Sequence, residues 1–184
     1  MIGIDEVGRG SWAGPLLVVA ARQVGKLPEG LADSKILIKK RREQLVPAIN
    51  ASCQLGEGWV EPTEIDQLGL TGAMRLGVDR ALKAIDAKVG EEIIMDGHIN
   101  YCASGFTNVR CEIGADATYS LVSAASIYAK VQRDAYMTKI SAKYPGYSFE
   151  SHVGYGTKKH LEALKSLGIC ELHRRSYKPV QVFA

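Results

Sequence analysis

Two dense apolar runs open the chain. Residues 2–7 and 15–24 each read as a strand, and the run LLVVAA is too apolar for a surface. The three glycines between them predict a tight turn or loop, hence an antiparallel pair. DSKILIKKRREQL, residues 33–45, reads as a basic amphipathic helix capped by Asp33 or Ser34, with Ile36, Leu37 and Leu45 on its apolar face. Residues 51–60 suggest a third strand. Thr63 is placed as the N-cap of a short helix carrying Glu64, Ile65 and Leu68. Met74, Val78, Ala81 and Ile85 then fall at helical spacing, opposite Arg75, Asp79, Arg80 and Lys83, and Gly90 ends that segment.

EEIIMDG predicts a short strand ending in an acid and a glycine turn. TNVRCEI predicts another, with Asp116 soon after it. Residues 120–144 form one long helical pattern, whose first half is dense in Ala and Ser and so permits close approach of a neighbouring backbone. Thr157 caps a last regular helix, KKHLEALKSL, closed by Gly168. Helices alternating with strands predict an α/β fold: a mixed central sheet covered by helices.

A chain of 184 residues suits a single domain, 1–184, with a helical C-terminal portion from about residue 145. An apolar fraction of 46% and a charged fraction of 23% exclude wholesale disorder. No apolar stretch reaches the roughly 18 residues that a membrane span needs, and no basic region precedes an apolar one as in a signal peptide. Cys53, Cys102, Cys111 and Cys170 are irregularly spaced, which argues against zinc and for free thiols in a reducing cytoplasm. A net charge of +3 is modest, but its distribution is uneven. Lys35, Lys39, Lys40, Arg41 and Arg42 form one basic cluster, Lys158 and Lys159 a second, and His173, Arg174, Arg175 and Lys178 a third. Solvated helix faces explain such runs, and a polyanion partner explains them too.

Four acids share one context: Asp5, Glu6, Asp96 and Asp116 each end or follow a strand. In a helix-covered sheet the strand ends form the rim where ligands bind. Converging carboxylates repel one another and need protons, basic partners or a cation. An all-oxygen site favours Mg²⁺ or Mn²⁺, and a pair of such ions about 3.5–4 Å apart suits in-line attack on a phosphodiester. Successive strand residues point to opposite faces, so Asp5 and Glu6 share a site only if the pleat breaks at Glu6 or Glu6 offers its carbonyl.

DEVGRGSWAGP, LADSK, IMDG, ADATYSLVSAASIYAKVQRD, HVGYGT and HRRSYKPV, in that order, resemble the signature blocks of type 2 ribonuclease H, the ribonuclease HII family. The blocks span residues 2–180. The resemblance implies a ribonuclease H-like fold with a five-stranded mixed sheet flanked by helices. It implies an endonuclease that cleaves the RNA strand of RNA–DNA hybrids and incises 5′ of single ribonucleotides embedded in duplex DNA, as in ribonucleotide excision repair. It places Asp5, Glu6, Asp96 and Asp116 on the family's catalytic acids. Gly8, Arg9 and Gly10 fall on the loop that reads the ribose 2′-hydroxyl. Tyr155 falls on the tyrosine that stacks on the sugar beyond the RNA–DNA junction. Chemistry agrees, because the 2′-hydroxyl is what separates RNA from DNA at one position.

Under this resemblance two Mg²⁺ or Mn²⁺ ions drive hydrolysis to 3′-hydroxyl and 5′-phosphate ends. Asp5 would be the ligand shared by both ions, Asp116 would help hold the ion that activates the water, and Glu6 and Asp96 would help hold the ion that stabilises the leaving oxygen. Lys35, Arg174 and Arg175 are candidate phosphate contacts. For Arg174 and Arg175 a structural role, docking the C-terminal block, remains an equal alternative. His152, His160 and His173 read as packing residues, and His98 as a neighbour of Asp96. The implied enzyme is a cytoplasmic monomer that needs nucleic acid and no membrane. A different nuclease on the same fold would share the acids but not the GRG and GYGT blocks. An inactive hybrid-binding module would have lost an acid.

Three positions depart from the family pattern. Gly114 and Val153 stand where lysines are usual, and Trp12 stands where a smaller residue is usual. Fewer lysines mean fewer released counterions on binding. Duplex binding by this chain is therefore expected to depend less steeply on salt than that of a relative carrying both lysines. A titration of affinity against KCl on one duplex checks this, and an equal or steeper slope refutes it.

Overall fold

A computed structural model describes residues 1–31 and 37–184. Five strands form one sheet in the order β3-β2-β1-β4-β5. They are β1 (Ile2–Val7), β2 (Leu16–Gln23), β3 (Cys53–Val60), β4 (Ile93–Asp96) and β5 (Val109–Glu112). β1–β2 and β2–β3 pair antiparallel, whereas β1–β4 and β4–β5 pair parallel. The sheet is mixed, as the alternation of strands and helices predicted.

Side chains alternate cleanly across it. Ile2, Ile4, Leu16, Val18, Ala20, Ile93 and Met95 face α2 (Pro62–Ala84) and join Ile65, Met74, Val78 and Ala81 in one core. Val7, Leu17, Val19 and Ala21 face the opposite layer, built from α1 (Lys39–Ser52) and α4 (Ser120–Ser141), and meet Leu45, Ile49, Leu121, Ala125 and Ala129 there. α4 lies directly on β1. A Cβ at Gly3 would sit 2.7 Å from the backbone of Leu121 and Val122, so only glycine admits this approach.

Some expected boundaries move. The first helix begins at Lys39 among the described residues, with Ile38 as a cap that offers no side-chain bond. It also runs past the predicted strand start to Ser52, because burial of Ile49 and Ser52 holds its last turn and outweighs Pro47 inside it. Asp33, Ser34 and Lys35 lie outside the described residues. The two helices expected near residues 63–68 and 74–85 are one element kinked at Gly69, whose φ of 66° and ψ of 169° are not helical. Its cap is Glu61, not Thr63: Glu61 and Glu64 form a reciprocal capping box with Pro62 in the first turn. Thr157 does cap its helix (Lys158–Leu167) by accepting from the His160 N–H at 3.2 Å.

The C-terminal portion carries its own small core of Met137, Tyr147, Phe149, Ala163 and Leu172. Three buried histidines stand beside it, and their tautomers follow from their partners. The Cys170 N–H donates to His173 Nδ1 at 2.9 Å, so His173 carries its proton on Nε2. That proton goes to His160 Nε2 at 3.1 Å, and His160 Nδ1–H in turn donates to the Tyr155 carbonyl at 3.0 Å. Both rings must be neutral for this chain to form. Burial pushes the pKa of each down to about 4. An unfolded histidine titrates near 6.5, so between about pH 6.5 and 4 the unfolded state binds more protons. The contribution of this pair to stability should therefore be complete above about pH 6.5 and fall as pH drops toward about 4. Thermal melts across that range check this, and His160→Asn should flatten the acid limb.

Candidate active site at the rim of the sheet

β1 is the middle strand, and β4 is its parallel neighbour. Ile4 pairs with Met95, so Asp5 and Asp96 follow side by side at the same rim, both on the α4 face. β1 pairs with β2 without interruption through Glu6 and Val7. The break in the pleat expected at Glu6 does not occur. Asp5 and Glu6 point to opposite faces, yet both line one cavity of about 390 Å³, because that cavity wraps around the end of the sheet. Its other walls are Val7, Gly8, Arg9, Gly10, Asp96, Ser126, Lys130, Tyr155 and Arg42.

Asp5 is 6% exposed, and its Oδ1 accepts from the Glu6 N–H at 2.8 Å. Burial raises its pKa well above the ordinary carboxylate range, and the Glu6 and Asp96 charges add to this. A hydrogen bond with Ser126 pulls the other way. Glu6 lies 3.6 Å from the half-exposed Arg9 guanidinium, which also reaches the Tyr101 hydroxyl at 3.4 Å. Asp96 Oδ1 accepts from the Ala115 N–H at 2.9 Å and so ties β4 to the short helix α3 (Ala115–Thr118).

Asp116 follows Ala115 in α3, is 3% exposed, and does not line the cavity. The Ser123 hydroxyl donates to its carbonyl. Among the described residues, no three His, Cys, Asp or Glu side chains stand as a ready-made metal cluster. Asp5, Glu6 and Asp96 are brought to one cavity. Asp116 lies in the adjoining α3, which the bond from the Ala115 N–H to Asp96 ties to β4.

The glycine-flanked loop divides by residue. Gly8 has φ 87°, and a Cβ there would lie 2.2 Å from Arg133 Nε, so its glycine answers to the interior. A Cβ at Gly10 would meet nothing within 4 Å, which leaves its outer side open to a ligand. Tyr155 faces the same cavity. Lys130 Nζ lies 5.6 Å and the Arg133 guanidinium 5.5 Å from its ring centre. Gly114, at φ 75°, begins α3 in the left-handed region.

Arg174 must be corrected as a phosphate contact. It is 0% exposed, and its guanidinium is occupied inside the protein. Nε and Nη2 donate to the Gly14 carbonyl at 3.0 and 2.8 Å, and Nη1 donates to the Arg9 carbonyl at 3.1 Å and the Tyr177 hydroxyl at 3.0 Å. The structural alternative holds: the C-terminal block docks by gripping the loop after β1. Arg175 is exposed, outside the cavity wall, and its N–H donates to Asp66 Oδ2 at 2.9 Å. Lys35 lies outside the described residues.

Four cavity residues were not among the candidate site residues: Val7, between the acids and the glycine loop, and Ser126, Lys130 and Arg42. Ser126 and Lys130 stand one turn apart on α4, within the Ala/Ser-rich stretch that the sequence marked only as a packing face. Lys130 also pairs with Asp134 at 2.9 Å. Arg42 was one of five residues in a basic cluster, with nothing in the sequence to separate it from its neighbours.

The chain matches the family model for ribonuclease HII over residues 2–180. A ribonuclease HII from Cereibacter sphaeroides is 41% identical over 181 residues, covering 98% of this chain and 84% of that protein. The crystal structure of the ribonuclease H2 from Pyrococcus horikoshii OT3 aligns with TM-score 0.78 at 26% identity, covering 99% of this chain and 95% of that one. Bst-RNase HIII in complex with Mn²⁺ shares the fold, with TM-score 0.72 at 21% identity over 98% of this chain and 67% of that one. The architecture is thus that of the ribonuclease H-like enzymes. The chain belongs to the ribonuclease HII family, and it is a ribonuclease H that acts on nucleic acid.

No helix among the described residues is long and apolar enough to cross a membrane. The raised Asp5 pKa has a consequence for stability. Above that pKa the metal-free protein holds a buried charge against two others, so stability is lost as pH rises through it. Asp5→Asn should therefore melt higher than wild type at pH 7 in EDTA, and Mg²⁺ should narrow the gap by stabilising wild type alone. A lower melting point for the variant in EDTA would count against this account.

Proposed function

We propose that this chain cleaves the RNA strand of RNA–DNA hybrids, and incises 5′ of single ribonucleotides in duplex DNA, by two-metal-ion hydrolysis. One observation carries the reading: Asp5 and Asp96, from paired parallel strands, share a cavity with Glu6, the Gly8–Arg9–Gly10 loop and Tyr155. Acids for the chemistry and groups for telling ribose from deoxyribose thus stand within one space.

The donor set fits the cations. Every acid here offers hard oxygen ligands, and the raised Asp5 pKa reflects burial first and then the neighbouring Glu6 and Asp96 charges, both of which a divalent ion would offset. Asp5, Glu6 and Asp96 would hold the ions, with Asp116 completing the set from the adjoining helix. When bound, the ions supply the charge that activates water and stabilises the leaving oxygen. Arg9 neutralises Glu6 in the free protein and is placed to turn toward a ribose or phosphate when a cation takes over that task. Gly10 leaves backbone open to the 2′-hydroxyl. The Tyr155 ring offers a flat face that a deoxyribose fits and a 2′-hydroxyl would crowd. Lys130 and Arg42 line the cavity as phosphate contacts, and exposed Arg175 is a peripheral one. Residues 1–184 act as one catalytic domain, since Arg174 fastens the C-terminal portion to the loop beside the acids.

The test uses three duplexes: one with a single embedded ribonucleotide, one RNA–DNA hybrid and one all-DNA. Each is incubated with Mg²⁺, Mn²⁺ or EDTA. Metal-dependent cleavage of the first two, on the 5′ side of the lone ribonucleotide and leaving a 3′-hydroxyl, is expected. Asp5→Asn should lose at least about 10³-fold in rate while remaining folded. Cleavage of the all-DNA duplex, or wild-type turnover by the variant, would refute the reading.

A further inference from the structure

Arg133 lies on α4, two turns beyond Ser126, and is 0% exposed. A buried cation is costly, and a well-packed apolar side chain often serves the fold as well. Among the described residues no carboxylate forms an ion pair with it. Its guanidinium is instead spread over three carbonyls from two separate segments. Nε donates to Pro15 at 2.8 Å, Nη2 to Ala13 at 3.2 Å, and Nη1 to Val153 at 2.8 Å. The first two carbonyls belong to the segment that follows the glycine loop. The third lies two residues before Tyr155.

Two further contacts make the arrangement specific. The absence of a Cβ at Gly8 is what lets Arg133 Nε lie beneath that loop, and the Tyr155 ring rests 5.5 Å from the same guanidinium. Val153 has φ 44° and ψ 38°, a left-handed conformation that a β-branched residue rarely adopts. Such strain persists only where surroundings hold it, and the Arg133 bond to the Val153 carbonyl holds it here.

We infer that Arg133 is a positioning residue: it locks the glycine loop and Tyr155 into one recognition unit and so sets selectivity for a lone ribonucleotide followed by deoxyribose. This rests on the function proposed above for that cavity. Only the planar fork of arginine reaches all three carbonyls, and a lysine ammonium keeps the charge without spanning them. A loosened unit harms the substrate that needs both checks. A continuous RNA–DNA hybrid presents ribose after every cleaved ribonucleotide, so the tyrosine face contributes little there.

The experiment compares kcat/KM on the single-ribonucleotide duplex and on the hybrid for wild type, Arg133→Lys, Tyr155→Ala and the double variant, with melting points for each. Arg133→Lys should lose about tenfold more on the single-ribonucleotide duplex than on the hybrid. Tyr155→Ala should show the same selective loss, and the double variant should lose clearly less than the product of the two single losses. Parallel losses on both substrates, or additive effects in the double variant, would mark Arg133 as structural only and overturn the inference while leaving the function standing. A Tyr155→Ala variant without selective loss would instead sink the reading of the cavity, and the inference with it. Should Arg133→Lys not fold, hydrogen exchange on wild type decides. Segments 8–15 and 153–156 should open as one unit, and independent opening would overturn the inference.

Discussion

Everything at the site depends on how closely α4 approaches β1. Gly3 leaves out the Cβ that would push the helix away from the strand, and the alanines of α4 let the contact continue. Once that distance is set, helical spacing places the rest. Ser126, Lys130 and Arg133 fall on one stripe of the helix, at successive turns above the end of β1. Ser126 meets Asp5, Lys130 lines the cavity, and Arg133 passes under the loop that follows. A methyl group at position 3 would displace all three together.

The charges around this contact are balanced in two different ways. Arg133 and Arg174 are buried but satisfied, most of their donors spent on carbonyls of the segment between β1 and β2 and the rest on the Val153 carbonyl and the Tyr177 hydroxyl. They stiffen it and ask nothing of solvent. Asp5 is buried beside two other carboxylates, and its raised pKa records the cost. The scaffold is thus electrostatically content where it shapes the loop and discontented where the acids meet. A rigid frame around buried, clustered carboxylates, with Arg9, Lys130 and Arg42 in the same wall, suits the binding of cations and phosphate chemistry.

Much of this was legible in the chain. Five strands, the antiparallel opening pair, the long Ala/Ser-rich helix and the Thr157 cap follow from periodicity and capping chemistry. Asp5, Glu6 and Asp96 were findable because each sits where an apolar strand runs out, and Asp116 because it soon follows another strand. The misreadings are equally physical. Thr63 looked like a cap because propensity favours threonine, but the chain closes a Glu61–Glu64 box that caps the helix two residues earlier. Glu6 seemed to need a broken pleat because alternation was applied to a face, whereas the cavity lies at an end. Arg174 resembled a phosphate ligand because its charge is visible in sequence and its burial is not.

The sequence by itself determined the strands, most helices, the residue types fit for metal and ribose, and membership of the ribonuclease HII family. These depend on local periodicity and on residue identity, which the chain displays directly. Tertiary structure alone decided which acids share a cavity, which arginines are scaffold, and that Ser126, Lys130 and Arg42 join the site. The reason is that parallel pairing of β1 with β4, and the crossing of α4 over Gly3, bring together residues some 90 to 120 positions apart in the chain. No local pattern encodes which distant partner a side chain will meet.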